Sequence, residues 1–233
     1  MKKLLVLPTL LPLIFLTSSI AAAFDLGKVH NLVVFGDSLS DNGNTFAAVG
    51  LPKPPYYKGR WTNGLNWVDD FTPIAGLPPA TAYLENGGTN FAVGGSTSAL
   101  LGAQIAVYLV TVKGSADPAD LFVIWIGSND FTAGLQSSNT IAAISLEITA
   151  LSLAGAQQFL VISVPDISLT PDIIVKGTAT VQAAKQFVTS VDTQLQNRIP
   201  LLASLLGAKI DLIDVNPLFT PVGQRPCLIW FQE

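Results

Sequence analysis

Four short runs of almost entirely apolar residues constrain the fold of this chain more than any other feature. They span residues 31–36, 121–127, 159–165 and 210–215, and each ends in a cluster of Gly, Pro, Asn or Asp. Strands of a parallel sheet are apolar at nearly every position because helices cover the sheet on both faces. Residues 89–93 form a weaker run and are a candidate for one further strand.

The stretches between these runs are long enough for helices and carry helical periodicity. They predict helices over residues 65–75, 96–112, 140–156 and 178–206, the last of them broken at Pro200 because proline cannot continue a helix interior. We find no internal repeat and no linker that would divide the chain. Strands that alternate with helices predict a three-layer αβα sandwich of flavodoxin-like type, with a mostly parallel sheet of about five strands.

The N-terminus has the order of a secretory signal peptide. Lys2 and Lys3 precede an apolar run over residues 4–15, and three alanines end at Ala23. Two prolines and several hydroxyl residues interrupt the run, whereas a membrane span needs about 20 apolar residues. We therefore expect cleavage near Ala23, a single secreted or periplasmic domain over residues 24–233, and no stable membrane span after cleavage.

Charge and residue counts narrow the function classes. Loss of the signal peptide removes two lysines and no acid, so the net charge falls from −4 to about −6. An acidic chain of this kind is not expected to bind nucleic acid. Cys227 is the only cysteine, which excludes an internal disulfide and a cysteine-ligated zinc ion. We expect neither metal nor cofactor, and the pattern favours no particular oligomeric state.

Polar residues with catalytic potential follow three of the expected strands. Ser38 follows the first strand, Gly94 and Gly95 follow the weaker one, and Asn129 follows the run at 121–127. A serine hydroxyl is a nucleophile, while an Asn side chain and a glycine backbone N–H are donors for an oxyanion. Each segment alone also has a structural explanation, because such residues make turns and cap helices. The carboxyl ends of parallel strands share one edge, so together they predict one site.

Three motifs in this chain resemble those of the GDSL, or SGNH, hydrolases, a family of esterases and lipases. Residues 35–41, Phe-Gly-Asp-Ser-Leu-Ser-Asp, resemble the first motif of the family. Residues 90–95, Asn-Phe-Ala-Val-Gly-Gly, resemble the second, and residues 127–130, Gly-Ser-Asn-Asp, resemble the third. The resemblance extends from Asn31 to about Phe219 and implies the SGNH version of the flavodoxin-like fold.

The resemblance also implies a mechanism. Ser38 would attack the carbonyl of a small-molecule or lipid ester and form an acyl-enzyme that water releases. The backbone N–H groups of Ser38 and Gly95 and the side chain of Asn129 would hold the oxyanion. Gly94 is the alternative to Gly95 as the second-motif glycine. The resemblance implies no cofactor.

One motif of the family is absent from the sequence. The family has an Asp followed three residues later by a His near its C-terminus, but residues 211–214 and 214–217 begin with Asp and do not end in His. His30, the only histidine, precedes the first strand, so roughly 20 Å of strand separates it from Ser38. Because the motif is absent, we expect a domain that is C-terminally incomplete, by truncation or by a changed reading frame. Because a serine without a base is a poor nucleophile, we also expect impaired activity.

Two other functions remain as alternatives. A non-catalytic exported binding module would keep the pocket without a base, and the absent histidine favours it. A flavodoxin-like cofactor binder would place phosphate in the first turn, where Asp37 and Asp41 would repel an anion. The absence of a Gly-x-Ser-x-Gly motif argues against the other common α/β fold of ester hydrolases. The combination of Ser38, Gly95 and Asn129 favours the ester hydrolase.

Overall fold

A computed structural model describes residues 24–218 of the chain, so the predicted signal peptide and Cys227 lie outside the described residues. Its sheet consists of β1 (Leu32–Gly36), β2 (Leu121–Trp125), β3 (Gln158–Ile162) and β4 (Lys209–Ile213). Each strand begins within one residue of the predicted start. Three of them end before the apolar run does.

The strands lie side by side in the order β1-β2-β3-β4, and every neighbouring pair is parallel. The weaker run at residues 89–93 forms no regular strand; Asn90 makes isolated parallel bridges to Val34 of β1 and to Ala82. Since β2 occupies the other side of β1, the order of the chain reverses at β1. In sheets of this type, ligands bind at the carboxyl end of the strands where the order reverses.

Seven helices of the described residues surround this sheet. They are α1 (Asn44–Val49), α2 (Trp67–Ile74), α3 (Tyr83–Asn86), α4 (Leu101–Thr111), α5 (Ser137–Leu153), α6 (Pro171–Ile174) and α7 (Thr178–Leu206), with 3₁₀ turns at Leu26–Lys28, Ser98–Leu100 and Ile167–Leu169. Each of the four predicted helices is present, and the short helices α1, α3 and α6 lie in segments for which the periodicity predicted none.

Alternate residues of the strands face two separate cores, as a buried sheet requires. On β1, Val33 and Phe35 pack in the core that α4, α5 and α7 cover. Leu32 and Val34 pack in the opposite core with Val68 and Phe71 of α2. The sheet therefore lies between two helical layers, which confirms the predicted α/β three-layer fold.

The longest helix, α7, is continuous through Pro200, so the predicted break at this residue is wrong. Leu195, Ile199 and Leu202 are all buried against the sheet, on both sides of the proline. Gln196, whose carbonyl loses its N–H partner, is exposed, as is Pro200 itself, so water can replace the lost bond. Within residues 24–218, even this 29-residue helix is not apolar enough to cross a membrane.

Candidate active site

The turn that carries Ser38 begins directly at the end of β1. The carbonyl of Asp37 accepts the N–H groups of Ser40 and Asp41 at 3.1 and 3.0 Å, and this tight turn leaves Ser38 half-buried. Asp41 is fully buried, and its carboxylate accepts the Gly94 N–H at 2.8 Å as well as three N–H groups at the start of α1. The glycine turn is thereby fixed to the serine turn.

Two buried asparagine side chains join the same turns a second time. The Asn44 amide donates to the carbonyls of Asn90 and Ala92, both at 2.8 Å. The Asn90 amide donates to the carbonyl of Ser40 at 2.7 Å and to Asn42 Oδ1 at 2.9 Å. Because these groups are buried, the bonds offset their desolvation and fix the relative position of the turns.

The third turn, after β2, is bonded to the glycine turn. Asn129 Nδ2 donates to the carbonyl of Ser96 at 2.9 Å, directly after Gly95 in the chain. The buried carboxylate of Asp130 accepts the Ser98 N–H at 2.8 Å. Since the Asn129 amide has two N–H groups and uses one on Ser96, the second remains available. The three predicted motifs therefore meet at one edge of the sheet.

Sequence reasoning missed Gln104, which connects β1 to the glycine turn. Its side chain is 7% exposed on α4, accepts the Gly36 N–H at 2.9 Å and donates to the Gly36 carbonyl at 2.8 Å. It also donates to Ser96 Oγ at 3.2 Å. The signal in the sequence is a lone polar residue on the core-facing side of an otherwise apolar helix.

The adjacent glycines Gly94 and Gly95 differ in their surroundings. The Gly94 N–H donates to Asp41 and to Thr45 Oγ1, each at 2.8 Å, and a Cβ at Gly94 would lie 2.2 Å from Trp61 Nε1. Gly95 has φ +81°, which glycine adopts without strain, and a Cβ there would meet open space. Among residues 24–218 the Gly95 N–H has no hydrogen-bond partner.

Asp37, the neighbour of Ser38, is a buried carboxyl group. Burial raises the pKa of Asp37 to about 7, and the nearby charge of Asp130 adds to this shift. The Leu39 N–H, 3.0 Å from Asp37 Oδ1, and Ser128 oppose the shift without cancelling it. Near neutral pH, this carboxyl group is therefore present in both protonation states.

This raised pKa predicts a pH dependence of stability. The Asp37 pKa is about 7 in the folded chain against an ordinary value of 3.8, so between these values the folded chain keeps a proton that the unfolded chain releases. The free energy of unfolding should therefore fall as the pH rises through this window. Asp37→Asn, which resembles the neutral carboxyl, should make the fall shallower in urea denaturation at several pH values.

Burial also raises the pKa of Asp192 to about 7, so part of the slope should remain in the Asp37→Asn variant. Asp192→Asn should remove that part, and the double variant should be flattest. An Asp37→Asn variant with the same pH slope as the parent chain would contradict the assignment.

His30 lies at the edge of the sheet opposite to Ser38, as predicted. Its side chain is 63% exposed, and its Nδ1 is 2.8 Å from Asp117 Oδ2, an interaction that raises the pKa of His30. Because the chain contains no other histidine, Ser38 has no imidazole base within residues 24–218.

Two of the cavities that the described residues form, of about 730 and 200 Å³, lie along α7 and beside the turns that follow β3 and β4. Neither cavity is lined by Ser38, Gly95 or Asn129. Within residues 24–218, no group of His, Cys, Asp and Glu side chains is placed to hold a metal ion. The converging turns, rather than a cavity, identify the candidate site.

Comparison with known families and proteins gives a consistent result. Residues 32–224 match the family of GDSL-like lipases and acylhydrolases. The phosphatidylcholine-sterol acyltransferase of Aeromonas hydrophila is 32% identical over 93% of this chain and 67% of its own length. Lipase 1 of Photorhabdus luminescens is 33% identical over 68% of this chain. The match covers only 26% of that lipase, so the chain spans about a quarter of its length.

Among solved structures, a member of the lipolytic G-D-S-L family from Veillonella parvula superimposes with a TM-score of 0.54. The match covers 84% of this chain and 83% of the other, at 16% sequence identity. At this identity the similarity concerns the fold alone.

Proposed function

The chain belongs to the family of GDSL-like lipases and acylhydrolases, and from this premise we propose that it is an exported hydrolase of carboxylic esters with Ser38 as nucleophile. The observation that carries the proposal is the set of hydrogen bonds between the three motif turns. These bonds join the three motif turns at the edge where parallel sheets bind ligands, which supports a site formed by the Ser38 hydroxyl, the Gly95 N–H and the Asn129 amide. Small-molecule or lipid esters are the proposed substrates.

In the proposed reaction, Ser38 Oγ adds to the ester carbonyl carbon while a base takes its proton. The alcohol then leaves with a proton, and water attacks the acyl group on Ser38 to release the acid. The oxyanion of each addition step would accept hydrogen bonds from the N–H groups of Ser38 and Gly95 and from Asn129. Gly95 is preferred over Gly94 because the Gly94 N–H already donates to Asp41. One such donor contributes about 3 to 4 kcal/mol in other hydrolases.

No histidine of the described residues is placed to serve as this base. The sole histidine, His30, is at the far edge of the sheet. We therefore propose that the 233-residue chain is acylated slowly, since an unassisted serine hydroxyl is a weak nucleophile near neutral pH.

A non-catalytic binding module is the second candidate function, and the distance of His30 from the site favours it. A phosphate-binding role has less support. The N–H groups at the start of α1, which an anion would need, already donate to the carboxylate of Asp41.

The nucleophile can be tested by covalent capture. A fluorophosphonate, which reacts irreversibly with serine nucleophiles, is expected to add one label slowly, over a prolonged incubation, on the peptide that contains Ser38. Ser38→Ala should remove the label, whereas Ser115→Ala, an exposed serine after α4, should leave it unchanged. Equal labelling of several serines, or none at all, would favour the binding module.

Export is proposed from the N-terminal residue order, and a relative of 31% identity over 63% of the chain is named secreted effector protein SseJ of Salmonella typhimurium. Expressed in a bacterium, the chain is expected to begin at Phe24, or within a few residues, when its N-terminus is sequenced. Ala21→Gln with Ala23→Gln should block cleavage, because small residues are needed at those two positions, while Ala22→Gln should not. A cytosolic product that retains Met1 would refute export.

A further inference from the structure

The segment between the serine turn and α2 exposes an unusual concentration of apolar side chains. We name it the 46–65 surface, and its large apolar members are all between 42% and 66% exposed: Phe46, Val49, Leu51, Tyr56 and Leu65. Val110 and Leu153 are also exposed, but each lies on a helix whose other apolar residues include several that are buried in the core. A concentration of this kind marks a surface for contact with an apolar partner.

The charge of the same segment is opposite to that of the whole chain. Residues 46–65 contain Lys53, Lys58 and Arg60 and neither Asp nor Glu, although the net charge of the chain is −4. Arg60 is bonded to Asp69 at 2.8 Å, whereas Lys53 and Lys58 are exposed. The Lys58 ammonium group lies 5.3 Å from the centre of the Tyr57 ring, where it remains open to a partner.

Packing contacts place the 46–65 surface beside the candidate site. A Cβ at Gly59 would lie 2.7 Å from Phe46 Cβ, so the segment folds back onto α1. The Trp61 ring rests against Gly94, and the centres of the Tyr56 and Trp61 rings are 5.8 Å apart.

An ion pair anchors the segment to the serine turn. Asp69, which binds the Arg60 guanidinium, also accepts the Asn42 amide at 3.2 Å. The apolar and cationic side chains therefore adjoin the residues that present Ser38.

We propose that the 46–65 surface docks the mouth of the site onto an anionic lipid surface. The inference rests on the proposed ester hydrolysis and names its substrate source, an ester held in lipid. Apolar and aromatic side chains enter the boundary between headgroups and acyl chains, while lysines attract anionic headgroups. Because the rest of the chain is acidic, an anionic surface would repel other orientations and select the one that faces Ser38 to the lipid.

The test is co-flotation of the full chain with vesicles of equal parts phosphatidylcholine and phosphatidylglycerol. Lys53→Glu with Lys58→Glu should weaken binding by roughly 25-fold or more, because each cation near such a surface contributes about fivefold. Lys28→Glu with Lys113→Glu changes the charge equally at the opposite edge of the sheet and should have little effect. All variants share residues 1–23, so that segment cannot account for a difference between them.

The contribution of the apolar side chains to vesicle binding is tested by the same co-flotation experiment. Val49→Ser should weaken vesicle binding by roughly fivefold, whereas the same change at Val110, which is even more exposed and lies on α4, should not. Equal losses in the two lysine pairs would overturn the proposal, as would a chain that does not bind the mixed vesicles. If Val49→Ser instead dissolves a lipid-free dimer in size-exclusion chromatography, the surface binds a second copy and the lipid proposal fails.

Vesicle binding requires no catalysis, so the outcome is separate from that of the proposed function. An unlabelled Ser38 together with lysine-dependent vesicle binding would refute the esterase and leave a lipid-binding module. A labelled Ser38 with no vesicle binding would refute only the docking surface.

Discussion

A histidine base brought to Ser38 is expected to raise the esterase rate of the 233-residue chain by roughly 10³-fold or more. In well-studied serine proteases, loss of the catalytic histidine costs on the order of 10⁶ in kcat, and the remaining acceleration comes from binding and the oxyanion donors. The chain alone should hydrolyse p-nitrophenyl acetate feebly, because this ester has a good leaving group but the Ser38 hydroxyl has no imidazole to accept its proton.

The experiment appends a segment that brings Asp-x-x-His to the mouth of the site and measures p-nitrophenol release. The control carries the same segment with Gln in place of His, and Ser38→Ala should abolish the gain. Free imidazole should produce a smaller acceleration that also depends on Ser38.

A chain that already turns over at about 10 s⁻¹, a typical enzyme rate, would show that another base serves Ser38. Asp37 would be the first residue to test, since a pKa of about 7 is suited to proton transfer at neutral pH. In that case Asp37→Asn should remove both the rate and its dependence on pH near 7.

The sequence was sufficient to predict the four strands of the sheet and the position of the motifs, whereas the fifth strand expected at residues 89–93 is reduced to isolated bridges. A strand that is buried on both faces must be apolar at every position, so β1 and β2 are visible as apolar runs. In a parallel sheet the turns after such strands meet at one edge, which is why the sequence alone predicts that Ser38 and Asn129 share one site.

The supporting hydrogen bonds could not be derived from the sequence. Asp41 and Asn44 read as ordinary turn residues, and only the fold reveals that both are buried between the serine and glycine turns. Gln104 is 68 residues from its partner Gly36, and local patterns carry no information about such a pair. The helix break predicted at Pro200 was wrong for a related reason, because the packing of α7 on the sheet outweighs the local cost of proline.

The oxyanion role of Asn129 predicts the second large effect. Asn129→Ala should slow the capture of Ser38 by a fluorophosphonate by about 10² to 10³-fold, the loss seen when one such donor is removed elsewhere. The variant also loses the bond to the Ser96 carbonyl, which should cost about 1 kcal/mol in the free energy of unfolding. The rate loss should therefore be much larger than the stability loss can explain.

Gly95→Ala is the matched control for the Asn129 experiment. It keeps the backbone N–H but places alanine at φ +81°, which should cost about 1–2 kcal/mol of stability. Space for the new methyl group is open, so the donor stays in place and capture of Ser38 should remain close to the parent rate. If Asn129 stabilises the oxyanion, Gly95→Ala should be less stable than Asn129→Ala, yet its Ser38 should be captured faster. If both variants slow capture in proportion to their loss of stability, Asn129 only supports the glycine turn through Ser96.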